Sequence, residues 1–204
     1  MDVRESLLQA AVKLFAESGT RGATTRRIAE AAGVNEVTLF RHFGSKEALI
    51  RDALRWASQR ALVARLPESP RLPEAELTEW CRAHHANLHR MRALIRTGMA
   101  EHEEHPDMAA STCQGPLRVA AELHTYMVRL REAGLVAADV DLRAASAMLL
   151  GAMFGDAIGR DIMPERYPYP LRDAAAKYVR LFLRAIAPEP AARRRRTLEA
   201  DHHD

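Results

Sequence analysis

Residues 24–46, reading TTRRIAEAAGVNEVTLFRHFGSK, hold two short helix patterns around a single glycine and the start of a third. Thr24 is suited to cap a helix, its hydroxyl accepting from the N–H of Arg27, and Ile28, Ala29 and Ala32 follow at helical spacing. Gly33 suits the left-handed conformation that ends a helix without a Cβ penalty. Asn35 is placed to cap the next pattern, in which Val34, Val37, Leu39, Phe40 and Phe43 are apolar and Glu36, Thr38, Arg41 and His42 polar. Gly44-Ser45 repeats the stop and start, with Ser45 as the N-cap of a longer helix. Two helices joined by a short turn containing glycine form the helix-turn-helix pattern, whose second helix can lie in the major groove of DNA.

Together with LLQAAVKLFAESG before it and TLFRHFGSKEAL within it, this stretch resembles the tetracycline-repressor (TetR) family of bacterial transcriptional regulators, in order and spacing, over about the first fifty residues. The resemblance implies an all-α fold, a helix-turn-helix DNA-binding domain followed by a helical ligand-binding and dimerisation domain. It also implies the partners: a near-palindromic double-stranded operator, a second copy of the chain, and a small-molecule inducer that relieves repression. By position, Thr24, Thr25 and Lys46 would hold phosphates at helix amino termini, where free N–H groups and the dipole favour anions. Arg26 would meet a phosphate or a guanine edge; Asn35, Glu36, Val37 and Thr38 would face base edges; Arg41 and His42 would meet backbone. Two departures from the family pattern bear on operator choice. Phe40 stands where a Tyr commonly bonds a phosphate, and Val37 where a Gly commonly stands.

The spacing predicts helices throughout and no strands. The first carries Val3, Leu7, Ala10, Ala11, Leu14 and Phe15 on one face and ends at Gly19. The fourth runs from Ser45 to near Leu66, where Pro67, Pro70 and Pro73 break it; one long helix is expected from Glu74 to Glu101, and others from Pro116 to Ala133, Leu142 to about Arg160, and Leu171 to Ala187. The expected division is residues 1–60 for DNA binding, 61–187 for ligand binding and dimerisation, and 188–204 as a disordered tail. Residues 1–66 hold 11 Lys and Arg against 7 Asp and Glu, whereas 67–187 hold 15 against 16. A basic amino-terminal end on a near-neutral body fits phosphate contact at that end. Two cysteines, Cys81 and Cys113, are too few for a disulfide scaffold, and the start MDVRESLL lacks a signal pattern, so a cytoplasmic protein is expected. The longest apolar run, Ala144 to Ile158, contains Asp156 and is shorter than a membrane span needs.

Beyond the amino-terminal motif, three patterns invite a function. Ala147, Gly151, Gly155 and Gly159 recur every fourth residue, a stripe that permits close helix approach; the resemblance assigns this helix and the last one to a four-helix dimer interface, and packing within one subunit is the alternative. Cys81, His85 and His89 share a helix face, with His124 expected on a neighbouring helix: they could hold a metal and make the regulator metal-responsive, offer polar groups to an organic ligand, or simply pack. Methionines such as Met99 and Met127 suit an adaptable pocket and fill cores equally well. The candidate ligand set is therefore His85, His89, Met99, His124 and Met127. No cofactor is expected. The chain has no Gly-rich phosphate cradle and no strand-borne nucleophile, and the charged stretch Glu101 to His105 reads as a loop, so an enzyme is not expected. A DNA-binding or scaffold protein with a solid rear domain remains the other reading.

Overall fold

The computed structural model describes residues 2–60, 63–105 and 113–189. Among them are nine α-helices: α1 (Val3–Gly22), α2 (Thr25–Ala32), α3 (Glu36–Phe43), α4 (Lys46–Gln59), α5 (Pro73–Arg90), α6 (Arg92–Ala100), α7 (Gln114–Glu132), α8 (Leu142–Gly159) and α9 (Leu171–Ile186), with a 3₁₀ turn at Pro164–Arg166 and no strand among the described residues. Most of the tail expected to be disordered, from residue 190 on, lies outside the described residues, as does Pro106.

The caps read from the sequence take shape as hydrogen bonds. The Arg27 N–H donates to Thr24 Oγ1 at 3.3 Å, the Thr38 N–H to Asn35 Oδ1 at 2.8 Å, and the Ala48 N–H to Ser45 Oγ at 3.1 Å. Gly33 closes α2 at φ 71°, with its N–H on the Glu30 carbonyl and the Val34 N–H on that of Ala29, which satisfies carbonyls the helix end would otherwise leave open. Gly19, at φ 64°, breaks the regular path of α1 where the end was expected, although helical turns resume to Gly22.

Two expected helices differ, and a side-chain hydrogen bond marks each break. α4 stops at Gln59 rather than near Leu66. There the Gly115 N–H at the start of α7 donates to Ser58 Oγ at 2.9 Å, while Arg60 stacks on Trp56 and pairs with Glu5 at 3.2 Å. The single helix expected from Glu74 to Glu101 is two, α5 and α6, divided at Met91 without a proline or glycine. Arg92 Nη1 donates to the His89 carbonyl at 2.9 Å, supplying the partner that the interrupted ladder withholds.

The helices fall into two compact units, one drawn from Met1–Ala64, Ala83–Val119 and Phe154–Pro168, the other from Arg65–Arg82, Ala120–Met153 and Tyr169–Asp204. In the first unit, Leu7, Leu8, Ala11 and Phe15 of α1, Ile28 of α2, Leu39 of α3, and Leu49, Ile50 and Leu54 of α4 form one buried cluster, against which Phe43 and Leu94 pack. The second unit buries Leu77, Trp80, Leu123, Tyr126, Met127 and Leu130 with Val179, Phe182 and Ile186. Within it Glu122 accepts the Leu66 N–H at 2.9 Å and the Trp80 indole N–H at 3.4 Å. No described helix is long and apolar enough to cross a membrane.

Replacing Ser45 by Ala removes the acceptor for the Ala48 N–H and is expected to cost about 1 kcal/mol of stability, read as a lower urea midpoint with an unchanged slope.

Candidate DNA interface and ligand site

α3 is seated by its inner face. Leu39 is completely buried among α1, α2 and α4, and this leaves Val37, Phe40, Arg41 and His42 on the outside of the same eight-residue helix. Val37 is 76% exposed and Phe40 45%, an unusual outlay of apolar surface on a short helix. At its amino terminus Asn35 is exposed, and its side-chain oxygen accepts both the Thr38 N–H and, at 2.9 Å, the Thr38 hydroxyl. The methyl of Thr38 is thereby left as the group with no bonding duty. Thr25 donates its hydroxyl to Glu36 Oε2 at 2.6 Å, a bond that joins the first turn of α2 to the first turn of α3. Arg26 pairs with Glu30 at 3.0 Å on an exposed face. Lys46 is the first residue of α4, directly after the Ser45 cap, and Thr24 is exposed at the start of α2. The ten residues singled out between Thr24 and Lys46 thus lie on or beside the first turns of three consecutive helices and along the outer side of α3.

A connection absent from the sequence reading ties α6 to α1. Glu101 accepts the Thr20 N–H at 2.7 Å with one carboxylate oxygen and the Thr20 hydroxyl with the other, and Thr97 donates to the Ala16 carbonyl at 3.2 Å. A Cβ on Gly19 would collide with that carboxylate, and the left-handed φ of Gly19 compounds the requirement for glycine. Glu101 looked like one member of a charged loop, because its partner stands 81 residues away and no local pattern marks such a pair.

Of the candidate ligand residues, His85 and His89 stand in the first unit on α5. His85 Nε2 lies 3.6 Å from Asp156 Oδ2, both buried, and Asp156 accepts from Arg160 at 2.7 and 2.8 Å in a two-pronged pair. His89 Nδ1 is 3.1 Å from the Ala157 carbonyl. Burial pushes the His85 pKa below its ordinary 6.5; Asp156 opposes that shift and Arg160 adds to it. Met99, 58% exposed, lines an open groove of about 420 Å³ with Arg96, Gly155, Ile158, Ile162, Met163 and Tyr167 among its other walls. His124 and the fully buried Met127 belong to the second unit. Cys81 is buried, which pushes its thiol up to about 12, and among the described residues no three His, Cys, Asp or Glu side chains converge as a metal ion would require. The every-fourth-residue stripe also divides. Ala147 and Gly151 are exposed, with open space where a Gly151 Cβ would stand, whereas Gly155 and Gly159 face the hydroxyl of Tyr167.

Two family models match the chain: bacterial regulatory proteins of the tetR family over residues 7–53, and the C-terminal domain of AefR-like transcriptional repressors over residues 75–188. The chain therefore belongs to the TetR family, a family of transcriptional regulators and not of enzymes, with an amino-terminal helix-turn-helix DNA-binding domain and a helical carboxy-terminal domain. It is 48% identical to the transcriptional repressor KstR2 of Rhodococcus jostii over 52 residues, 26% of this chain and 26% of that one, so the match spans about a quarter of the relative. It is 27% identical to the transcriptional regulator UidR of Escherichia coli over 156 residues, 74% of this chain and 78% of that one. Among solved structures, a Mesorhizobium loti chain assigned to the same family superposes with a TM-score of 0.75 at 20% identity, covering 91% of this chain and 96% of that one.

Two outcomes follow from the buried polar group. A histidine held neutral by burial adds stability that is complete above its unfolded pKa and is lost as pH falls from about 6.5 toward the lower folded value, because only the unfolded state takes up the proton there. Denaturant titrations between pH 7.5 and 5.5 should show that decline, and His85→Gln should flatten it. Arg160→Met strands the Asp156 carboxylate in the interior and is expected to cost about 3–5 kcal/mol in the same assay at pH 7.

Proposed function

We propose that the protein is a homodimeric repressor that binds a near-palindromic operator and leaves it when a small molecule occupies its carboxy-terminal domain. The observation that supports this best is the outer face of α3, where Val37, Phe40 and Arg41 stand clear of a helix anchored from behind by Leu39. In the major groove, Val37, Phe40 and the Thr38 methyl suit thymine methyl groups, and Asn35 offers an amide to a base edge. Lys46, Thr24 and the N–H groups of the first turns of α2 and α4 would hold phosphates, with Arg26, Arg41 and His42 as further backbone contacts. Glu36 and Thr25, bonded to each other, would set the angle of α3 to α2, and Glu36 keeps one oxygen for a cytosine amino group.

Residues 1–60 would carry DNA binding and 61–187 ligand binding and dimerisation. The exposed Ala144, Ala147, Met148 and Gly151 of α8 and Leu181 of α9, which is 65% exposed, supply apolar surface for a second copy. α4 would couple the ends. It begins at Lys46 and ends at Gln59, with Ser58 in its last turn bonded to the first turn of α7, so a shift of α7 would move the phosphate anchor. A dimer that reads two half-sites needs its α3 helices about one helical turn apart, roughly 34–36 Å, and a ligand with higher affinity for a wider spacing would release the DNA.

With an operator selected from random DNA, Lys46→Ala should weaken binding to all sequences about equally, whereas Thr38→Ala should change preference at one or two bases, both read by fluorescence anisotropy. Wild-type affinity should fall by about three to five decades between 50 and 200 mM salt if six to ten phosphates are contacted; a flat response would count against this docking.

A further inference from the structure

The groove bounded by α6, the end of α8 and the 3₁₀ turn has the volume of a small-molecule site, about 420 Å³. Its walls are apolar at Met99, Ile158, Ile162 and Met163, and three of these are largely exposed: Ile162 at 64%, Met99 at 58% and Met163 at 43%. Its floor is kept low by glycines. A Cβ on Gly159 would stand 3.3 Å from Met163 Cε and 3.6 Å from Tyr167 Oη, and one on Gly155 would stand 3.8 Å from the same hydroxyl.

The charges in the groove are one-sided. Arg96 and Arg166 are its cationic lining residues, and among the described residues no carboxylate lines it. Arg96 is committed: it pairs with Asp161 and donates to the Ile158 carbonyl at 2.9 Å. Arg166 lies 5.7 Å from the centre of the Tyr167 ring and has no carboxylate partner among the described residues. An apolar trough with an uncommitted guanidinium at its edge is complementary to a molecule with one anionic end and a hydrocarbon body.

The groove also touches the element best placed to report its occupancy. α6 has no fully buried side chain. It is held by polar ties at its two ends, Arg92 and Arg96 to Asp161 on one side, and Thr97 and Glu101 to Ala16 and Thr20 of α1 on the other. Leu94 also packs α6 against the core cluster of α1, α2, α3 and α4, so a displacement of α6 is felt by those helices, and Arg96 and Met99 place it in the wall of the groove.

We propose that this groove is the effector site and takes an amphipathic monocarboxylate, its carboxylate on Arg166 and its chain along Met99, Ile158, Ile162 and Met163, and that occupancy reaches the DNA-binding helices through α6 and the Glu101–Thr20 tie. The inference rests on the ligand-responsive reading above and names the site and the chemical class.

The test uses the full chain, an operator duplex selected from random DNA, and octanoate and dodecanoate as probes, with octanol and dodecanol as uncharged controls. Calorimetric titration below the micellar range should show saturable binding of a carboxylate and weaker binding of the matching alcohol. Arg166→Gln and the groove-filling Gly155→Leu should each weaken the carboxylate by about tenfold or more. Arg166→Gln should not change operator affinity without probe. Glu101→Gln should still bind the probe while operator release is lost. The proposal is overturned if neither carboxylate binds, if acid and alcohol bind alike in wild type and Arg166→Gln, or if Gly155→Leu shifts the monomer–dimer midpoint in sedimentation and leaves probe binding intact, which would make the groove a contact between copies. Failure to select any DNA sequence would sink the regulator reading instead, and the calorimetric arm would still decide the groove.

Discussion

Burial of Leu39 is the contact on which the amino-terminal end depends. α3 has eight residues, too few to hold a helix in water by backbone hydrogen bonds alone, so its position comes from Leu39 sunk into the cluster of α1, α2 and α4, from Phe43 packed against it, and from the Asn35 cap at its start. Full burial of a leucine contributes about 1.5–3 kcal/mol, enough to fix which side of α3 faces inward. The outward side is then decided by geometry: residues 37, 40 and 41 are presented because 39 is not.

The same economy appears wherever a helix ends. A terminus leaves backbone groups open, and in this chain the partner repeatedly comes from far along the sequence or from a side chain folded back. Ser58 at the end of α4 receives the Gly115 N–H, the His89 carbonyl at the α5–α6 break receives Arg92, and Thr20 near the end of α1 is taken by Glu101.

Within the first unit the interior is not uniformly apolar. Asp156, with no exposure, is held by Arg160 of its own helix and faces the neutral His85, so the α5 and α8 residues of that unit meet at a polar contact as well as through packing. Two charges taken from water together contribute little net stability, but either one alone is costly, so the arrangement penalises packing that would leave Asp156 without Arg160. That role differs from the one the every-fourth-residue spacing of Cys81, His85 and His89 invites, in which all three would meet one ligand or ion.

Local chemistry is what the sequence by itself determined: the three caps at Thr24, Asn35 and Ser45, the left-handed glycine at 33, the inward set Ile28, Leu39 and Phe43, and with them the helix-turn-helix and the family. Each depends on residues within four positions of one another, and the physics of caps and periodicity operates over that range. Tertiary structure alone decided where α4 stops, that Met91 divides a helix with no breaker at that point, that Glu101 grips Thr20, and that Gly155 and Gly159 face Tyr167 while Gly151 stays open. Two of these pairings, Ser58 with Gly115 and Thr20 with Glu101, join residues dozens of positions apart. A contact of that kind leaves no periodic trace in the chain, since its energy is gained only after the intervening helices have packed.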